Sequence, residues 1–247
     1  MLDDVRARLD RDFSDFNHPW PGLELESHLR DFIFESFAPS LPAAPTGNAL
    51  AIGLQHAREV TLMGRHFQYQ RILNPPGHVL DLLAYNAPDC AFDLAFGPPD
   101  ALSSYGIFDA AFCLHSFNNF THPEAVLAAA WDVLPKGGKL FTAVQNAGAG
   151  SRRMALSMGL IQSLDQIFPN GIQKRFLDLN GLRSLVQNAG FKVVDTGGVL
   201  LKTFTEAQIA ALYAENLVGT PYLRALYMLG RDYPELCASV YVVAEKP

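Results

Sequence analysis

The stretch 108–141 constrains the fold of this chain more than any other part of the sequence. It opens with the apolar run FDAAFCL (108–114), which has the length and composition of a strand buried on both faces. After a polar loop rich in Asn and His, Pro123 and Glu124 suit the first turn of a helix, which PKGG (135–138) ends. The apolar run KLFTAV (139–144) follows directly. Strand, helix, turn and strand in this order predict a βαβ unit with a right-handed crossover in a mostly parallel sheet.

Patterns on both sides of this unit predict further elements of the same kinds. Before it, strands are predicted at 48–53, 70–74 and 91–96, with helices at 55–63 and 75–85 between them. After it, the pattern predicts an amphipathic helix at 151–168, a helix at 179–190, a strand at 191–195, a helical insertion at 205–230 and a last strand at 236–244. Strands that alternate with helices are typical of an α/β domain.

The first 47 residues have a different pattern and are predicted to form an N-terminal helical cap, with the α/β domain at 48–247. The segment 24–41 places several apolar residues at helical spacing, namely Leu25, Leu29, Phe32, Ile33 and Phe37. Pro39 closes this segment, and PAAPTG (42–47) is a linker into the sheet.

Composition and charge exclude several classes of protein. The 247 residues are 49% hydrophobic and 18% charged, which is typical of a globular chain with a substantial core. The net charge of −6 and the lack of a Lys/Arg cluster argue against nucleic acid as a partner. No apolar run is long enough to cross a bilayer, the charged N-terminal segment does not resemble a signal peptide, and the three scattered cysteines suit reduced thiols. We therefore expect a cytoplasmic protein that binds neither nucleic acid nor a membrane.

Two phrases in the sequence resemble a known family. The succession of an FD strand, a helix and VLPKGGKLF (133–141) is similar to the central unit of the class I S-adenosylmethionine-dependent methyltransferases. LRSLVQNAGFKVV (182–194) resembles the turn into the penultimate strand of that family. The resemblance runs from about residue 48 to 245 and implies a Rossmann-like α/β fold, a mostly parallel seven-stranded sheet with the last strand antiparallel and helices on both faces. It also implies that the N-terminal helices cover the cofactor or shape a substrate pocket, although core packing explains their apolar residues as well.

In this family S-adenosylmethionine lies over the carboxyl ends of the first strands, as ligands do in open α/β sheets. The first loop has the pattern acidic-x-Gly-x-Gly-x-Gly, because its backbone passes so close to the ligand that a Cβ would collide. The corresponding residues are AIGLQHA (51–57), so Gly53 is kept while Gln55 and Ala57 replace the other glycines. The ribose-binding carboxylate of the family corresponds to Asn74, an amide without the charge. The resemblance therefore predicts cofactor contacts at Gly53, Gln55 and Asn74, weakened by the two amides.

Further contacts follow from the same resemblance. The loop GPPDAL (97–102) is similar to the adenine-binding loop of the family, so Asp100 and Ala101 are predicted cofactor contacts, although a helix N-cap explains Asp100 equally well. Leu114, at the end of its strand, is predicted to border the cofactor. The family often has Glu-His late in the next loop, where this chain has Asn118 and Asn119, so no general base is assured.

His115 and His122 are the acid/base candidates, because they lie near the expected methyl donor and titrate close to neutral pH. A structural role explains each of them as well. Cys113 beside His115 suggests a nucleophile or a metal site, but a cysteine in an apolar strand behaves as a small hydrophobe and no third ligand has suitable spacing, so no metal is expected. The sequence also lacks Gly-x-Ser-x-Gly, a phosphate-binding loop and Gly-x-Gly-x-x-Gly, the last of which disfavours a dehydrogenase.

The leading hypothesis is a methyltransferase for a small-molecule acceptor, in which alignment of the donor with the nucleophile supplies most of the rate. The departures at Gln55 and Asn74 leave two alternatives open. One is a catalytically inactive methyltransferase-like protein that acts as a scaffold, as a homodimer or with a protein partner. The other is a repurposed pocket with a non-methyl reaction, for which Phe117, Phe120 and Trp131 are candidate lining residues.

Overall fold

The computed structural model describes residues 23–85, 90–97, 106–167 and 174–247. The strands in these ranges are β1 (Asn48–Ile52), β2 (Tyr69–Leu73), β3 (Ala91–Ala95), β4 (Ala110–Leu114), β5 (Lys139–Gln145), β6 (Lys192–Leu201) and β7 (Cys237–Glu245). The α-helices are α1 (Leu23–Phe37), α2 (Ala57–Gly64), α3 (Gly77–Tyr85), α4 (Pro123–Val133), α5 (Gly150–Ser157), α6 (Leu179–Asn188), α7 (Glu206–Ala214) and α8 (Thr220–Gly230). None of the helices in the described ranges combines the length and the apolar character needed to cross a membrane.

The strands form one sheet in the order β3-β2-β1-β4-β5-β7-β6. The strand pairs from β3 to β5 are parallel. β7 runs antiparallel to both of its neighbours, β5 and β6. The predicted α/β fold, a mostly parallel sheet with an antiparallel last strand, is confirmed, and β4, α4 and β5 form the predicted βαβ unit.

Alternate residues of the central strands face opposite sides of the sheet, which gives the protein two apolar cores. Ala51 and Phe112 belong to the first core, which α1, α2 and α8 cover. Ile52 and Ala111 belong to the second core, which α4 and α6 cover. Because helices cover both faces, the central strands are apolar at nearly every position.

Helix α1 packs on the first core through a column of aromatic rings. Phe34 stacks on Phe112 with ring centroids 5.8 Å apart, and Phe112 stacks on Phe141 at 4.7 Å. Phe37 contacts Phe141 at 5.1 Å and the ring of Tyr241 at 5.6 Å. α1 therefore contacts β4, β5 and β7, and its buried rings are part of the core.

The helical insertion predicted at 205–230 consists of the two helices α7 and α8. Thr205 forms a capping box with Gln208 at the start of α7. Helix α8 lies against α1, where the rings of Phe32 and Tyr227 stack with centroids 4.6 Å apart. The insertion and the N-terminal helix thus cover the same side of the sheet.

The predicted helix at 151–168 is wrong over residues 158–167, because α5 ends at Ser157 in a glycine-dependent turn, and residue 168 lies outside the described residues. Gly159 has a φ of +72°, and the N–H of Leu160 donates to the carbonyl of Ala155 at 2.9 Å. A left-handed glycine with such a bond is a common way to end a helix. The apolar spacing that suggested a longer helix continues past this stop.

The strand predicted at 191–195 is too short, because β6 continues through Gly197 and Gly198. A Cβ on Gly197 would lie 2.7 Å from a ring carbon of Tyr241, and one on Gly198 would lie 2.6 Å from Cys237 Sγ. Both glycines therefore admit side chains of β7 instead of ending the strand.

Candidate functional site

The chain turns sharply at Gly53, just after β1 and beside the end of β4. Gly53 has a φ of +66°, a left-handed conformation that residues with a side chain rarely adopt. A Cβ at this position would lie 2.8 Å from both Phe120 Cζ and Ser116 Cβ. Gly53 is therefore required by the backbone turn and also by the side chains packed against it.

Gln55 stands where the family pattern has its middle glycine, and its side chain folds back on its own loop. Only 8% of the residue is exposed. Its Nε2 donates to the carbonyl of Gly53 at 2.8 Å, and its Oε1 accepts from Asn119 Nδ2 at 3.4 Å. The backbone N–H of Gln55 donates to Glu59 Oε2 at 3.2 Å. The loop between β1 and α2, which we call the cofactor loop (53–56), is thus fixed by side chains and not by a run of glycines.

Asn74 follows β2 and joins its end to the end of β3. The residue has a φ of +50°, and its backbone N–H donates to the carbonyl of Ala95 at 2.9 Å. Its side-chain Nδ2 donates to Gly97 O at 2.7 Å, and its Oδ1 accepts from Gly97 N at 3.0 Å. A carboxamide has two N–H groups and two acceptor lone pairs, so Gly97 uses half of this capacity. The side chain of Asn74 therefore adds one more rung to the β2–β3 ladder.

His115 follows β4 in a left-handed conformation, with a φ of +56°, and is buried. Its Nε2 lies 2.9 Å from Ser239 Oγ in β7, and its backbone N–H donates to the carbonyl of Ala143 at 2.6 Å. Burial lowers the pKa of His115 well below its usual value, and the positive charges of Arg30 and Lys202 lower it further. The ring is therefore neutral near pH 7 and is held against β7.

The other predicted site residues have different surroundings. Leu114 is the last residue of β4, pairs with Ala143 and is buried in the first core. His122 is exposed at the N-cap position of α4, where its side chain makes no capping hydrogen bond. Asp100 and Ala101 lie outside the described residues. The structure thus brings Gly53, Gln55 and the end of β4 together and leaves His122 at the surface.

Asn118 holds the loop that follows β4. Its Oδ1 accepts from the N–H of Gln145 at 3.1 Å, and its Nδ2 donates to the carbonyl of Arg175 at 3.1 Å. Its own carbonyl accepts from the N–H of Lys174 at 2.7 Å. At this position the chain therefore has a buried amide that ties three segments together.

Sequence reasoning missed a buried ion pair between α1 and α2. Arg30 Nε lies 2.8 Å from Glu59 Oε1, and another guanidinium nitrogen of Arg30 lies 3.1 Å from Glu26 Oε2. Loss of hydration raises the pKa of the fully buried Glu59 to about 7, although the charge of Arg30 opposes this shift. The available signal was weak, because a carboxylate in the first turn of a helix is ordinarily explained by the helix dipole. The spacing of Glu26 and Arg30, four residues apart on one helix face, is equally common.

The described part of this edge of the sheet assembles neither a set of metal ligands nor a reactive thiol. Within the described ranges, no group of three His, Cys, Asp or Glu side chains is arranged to hold a metal ion. Cys113 is buried in β4, and burial raises the pKa of its thiol far above the usual value. A thiol held in its protonated form is a poor nucleophile.

The residues at the carboxyl ends of β1, β2 and β4 fit the cofactor that the resemblance implies. Ser116 Oγ, next to Gly53, is buried and has no hydrogen-bond partner within the described part of the chain. Such an unsatisfied hydroxyl is costly and is expected where a ligand or a water completes the site. Asn74 keeps one N–H and one lone pair beyond those used by Gly97. The fit differs from the family pattern in two ways, since an amide replaces the ribose carboxylate and side chains brace the cofactor loop.

Comparison with known sequences agrees with this geometry. Residues 51–196 match a family model described as a methyltransferase domain. A curated relative, the ubiquinone biosynthesis O-methyltransferase of Xanthomonas axonopodis pv. citri (strain 306), is 28% identical over 102 residues, which are 40% of this chain and 42% of the relative. The match thus spans less than half of the relative's own length.

Solved structures share the fold at low sequence identity. The [4+2]-cyclase SpnF superposes with a TM-score of 0.59 and 18% identity, over 90% of this chain and 81% of SpnF. An S-adenosylmethionine-dependent methyltransferase from Thermotoga maritima superposes with a TM-score of 0.61 and 16% identity, over 97% of this chain and 100% of that enzyme. The N-methyltransferase NodS from Bradyrhizobium japonicum WM9 superposes with a TM-score of 0.57 and 10% identity, over 98% of each chain. That structure is a complex with S-adenosyl-L-homocysteine. Since the family model covers more than half of the chain and the sheet order agrees with the predicted fold, the chain belongs to the methyltransferase-domain family, with the class I fold.

Proposed function

We propose that this protein transfers a methyl group from S-adenosylmethionine to a small-molecule acceptor. The observation that carries the proposal is the left-handed turn at Gly53, placed against Ser116 at the end of β4. In open α/β sheets, ligands bind in the crevice outside the carboxyl ends of the strands. The buried, unsatisfied hydroxyl of Ser116 lies at this edge and supports a ligand there.

Different residues of the chain would position different parts of the cofactor site. Gly53 gives the backbone its turn, and Asn74 has one N–H and one lone pair to offer the ribose hydroxyls. Gln55 shapes the cofactor loop from within, because its side chain is bonded to Gly53 and Asn119. When bound, S-adenosylmethionine supplies a methyl group on a positively charged sulfur, which a nucleophile of the acceptor attacks.

Proton transfer has a minor part in the proposed reaction. His115 stays the predicted acid/base residue nearest to the end of β4, but its lowered pKa means that it holds a proton only weakly. His122 lies on the surface at the N-cap of α4. The arrangement suits an acceptor whose nucleophile needs little help in losing a proton, so that alignment supplies most of the rate.

Calorimetric titration with S-adenosylmethionine and S-adenosylhomocysteine tests the proposal. The wild-type protein is expected to bind both, and Asn74→Ala is expected to bind about tenfold more weakly, as the loss of roughly one hydrogen bond to the ligand implies. Asn216→Ala is the matched control, since Asn216 is also a left-handed asparagine, with a φ of +55°, but lies in the insertion between α7 and α8. A wild-type protein that binds neither compound overturns the proposal.

A second candidate is a different reaction in the same pocket. Gln55 and Asn74 are uncharged amides already engaged by the backbone of Gly53 and Gly97, and the [4+2]-cyclase SpnF has the same fold. Binding of S-adenosylhomocysteine together with no methyl transfer to hydroxyl, amine or carbon acceptors would favour this candidate.

A non-catalytic role as a partner is the remaining alternative. Several apolar side chains are exposed on α5, on the turn that follows it and between α7 and α8, among them Met158, Leu160 and Leu217. A stable homodimer or a co-purified protein, measured by light scattering and combined with no cofactor binding, would favour this role.

A further inference from the structure

A buried carboxylate connects the N-terminal helix to the cofactor loop. Glu59, in the first turn of α2, is fully buried. Its Oε2 accepts from the backbone N–H of Gln55 at 3.2 Å, and its Oε1 lies 2.8 Å from Arg30 Nε in α1. Arg30 in turn lies 3.1 Å from Glu26, so that α1 supplies both charges around the carboxylate. One side chain thus contacts both the cofactor loop and α1.

The cofactor loop depends on this contact because it lacks the usual glycines. Gln55 occupies the position of the middle glycine, and the bonds that hold it include those with Gly53, Asn119 and Glu59. The bond from Glu59 is the one that fixes the backbone N–H of Gln55 itself. A charged acceptor makes a stronger hydrogen bond than a neutral one.

The ionisation of Glu59 is finely balanced. The pKa of this carboxyl is raised to about 7, because desolvation raises it by more than Arg30 and the backbone N–H groups of Gln55 and His56 lower it. Glu26 opposes them slightly, because its negative charge raises the pKa. Among the groups that favour the ionised form of Glu59, Arg30 has the largest effect on its pKa.

We infer that Glu59, held by Arg30, is a positioning residue for the cofactor: it fixes the cofactor loop through the N–H of Gln55 and makes loop order depend on the docking of α1. The inference rests on the proposed function, because it concerns the loop that holds the cofactor. Coupling of this kind is reciprocal, so cofactor binding also stabilises the docked position of α1.

The pH dependence of S-adenosylhomocysteine binding tests the inference in the whole protein. Wild-type affinity is expected to rise about tenfold as the pH increases through 7, since ionised Glu59 accepts the Gln55 bond more strongly. Glu59→Gln keeps the shape and one acceptor but has no proton to lose, so its affinity is expected to be low and flat with pH. Arg30→Met is expected to move the midpoint of the rise to higher pH.

Asp31→Asn is the matched control. Asp31 of α1 accepts from Arg58 of α2 at 3.0 and 3.1 Å, so this pair joins the same two helices through side chains that are 36% exposed. Arg58 contacts the cofactor loop through its backbone N–H, which donates to His56 Nδ1 at 3.0 Å, and Asp31→Asn leaves that bond in place. This substitution is expected to leave the pH profile of binding unchanged. An equal loss of the pH dependence in Asp31→Asn would mean that helix docking in general sets the affinity, and would overturn the role given to Glu59.

A measurement without ligand separates this inference from the proposed function. In the free protein, the backbone ¹⁵N–¹H signal of Gln55 is expected to titrate with a midpoint near 7, and this titration is expected to disappear in Glu59→Gln. An amide signal that does not titrate in the wild type overturns the inference. If the wild type binds no S-adenosylhomocysteine while Gln55 still titrates, the proposed function fails and the positioning of the loop by Glu59 stands.

Discussion

Replacing Glu59 by glutamine is also expected to change the pH dependence of the free energy of unfolding. Burial raises the pKa of Glu59 from 4.5 to about 7 in the folded protein, in spite of the neighbouring Arg30. Between these two values the folded state holds a proton that the unfolded state has released. The free energy of unfolding therefore falls as the pH rises from about 4.5 to 7 and changes no further above the folded pKa.

The expected size follows from the same shift. A change from 4.5 to about 7 corresponds to roughly 3 kcal/mol of lost stability well above pH 7, at about 1.4 kcal/mol per pKa unit. About 2.5 kcal/mol of this loss falls between pH 5 and pH 8, because a small part has already occurred at pH 5. Glu59→Gln has no proton to release, so relative to the wild type it should gain about 2.5 kcal/mol over this range. Any constant effect of the weakened ion pair cancels in that comparison.

Urea unfolding at intervals from pH 5 to pH 8, with linear extrapolation, measures the difference. Glu245→Gln is a control that titrates outside this pH window, because a hydrogen bond from Lys139 and its charge lower the pKa of Glu245 below its ordinary value of 4.5. The stabilisation by Glu245 is present above its unfolded pKa and is lost as the pH falls through the folded one, so the difference between that variant and the wild type should stay nearly constant from pH 5 to pH 8. A difference between wild type and Glu59→Gln that stays constant from pH 5 to pH 8 would refute the reasoning.

Three further substitutions test the site by chemical denaturation. Gly53→Ala is expected to destabilise the protein by about 2–4 kcal/mol, because overlap of the new Cβ with Phe120 and Ser116 adds to the strain of the left-handed backbone. Gly159 also has a left-handed backbone, with a φ of +72°, but a Cβ there would have no atom within 4 Å, so Gly159→Ala should cost only about 1–2 kcal/mol. Equal losses would contradict the packing at Gly53. Asn74→Asp is expected to lose about 1–3 kcal/mol of stability near pH 7, since a carboxylate cannot donate the 2.7 Å bond to the carbonyl of Gly97. An unchanged unfolding midpoint would contradict the stabilising role of this bond. Ser239→Ala is expected to cost about 1–3 kcal/mol by leaving His115 Nε2 buried without its partner, and a neutral effect would mean that another group replaces the hydroxyl.

The fold could be predicted because its information is local. Apolar runs such as 108–114 and 139–144, separated by a helix that begins at Pro123, specify a strand–helix–strand unit without knowledge of tertiary contacts. The helix predicted at 151–168 was too long and the strand predicted at 191–195 was too short, and both errors concern the role of a glycine. Gly159 ends a helix whose apolar spacing continues, and Gly197 lies inside a strand because Tyr241 needs the space. A glycine that stops an element and one that admits a neighbour look the same in a sequence.

The candidate site could be located from the sequence but not drawn in detail. Gly53, Gln55 and Asn74 were identified from a family pattern, which gives positions along the strands. The pattern says nothing of where an altered side chain goes, and both amides bind backbone groups: Gln55 that of Gly53, Asn74 that of Gly97. Glu59 was missed because its charged partner, Arg30, lies 29 residues earlier in the sequence, in a helix outside the matched region.

The strand that comes last in the sequence lies inside the sheet, and this has a consequence for synthesis of the protein. β7 separates β5 from β6, and Phe37 of α1, which precedes all seven described strands, packs on Tyr241 of β7. Pairings between such distant parts of a chain form slowly. On the ribosome, β6 has no neighbour and the aromatic face of α1 has no complete surface to cover until the last residues of β7 emerge. A nascent chain that stalls before β7 therefore exposes an unpaired strand edge and an incompletely covered apolar face of α1, which are the kinds of surface that chaperones bind.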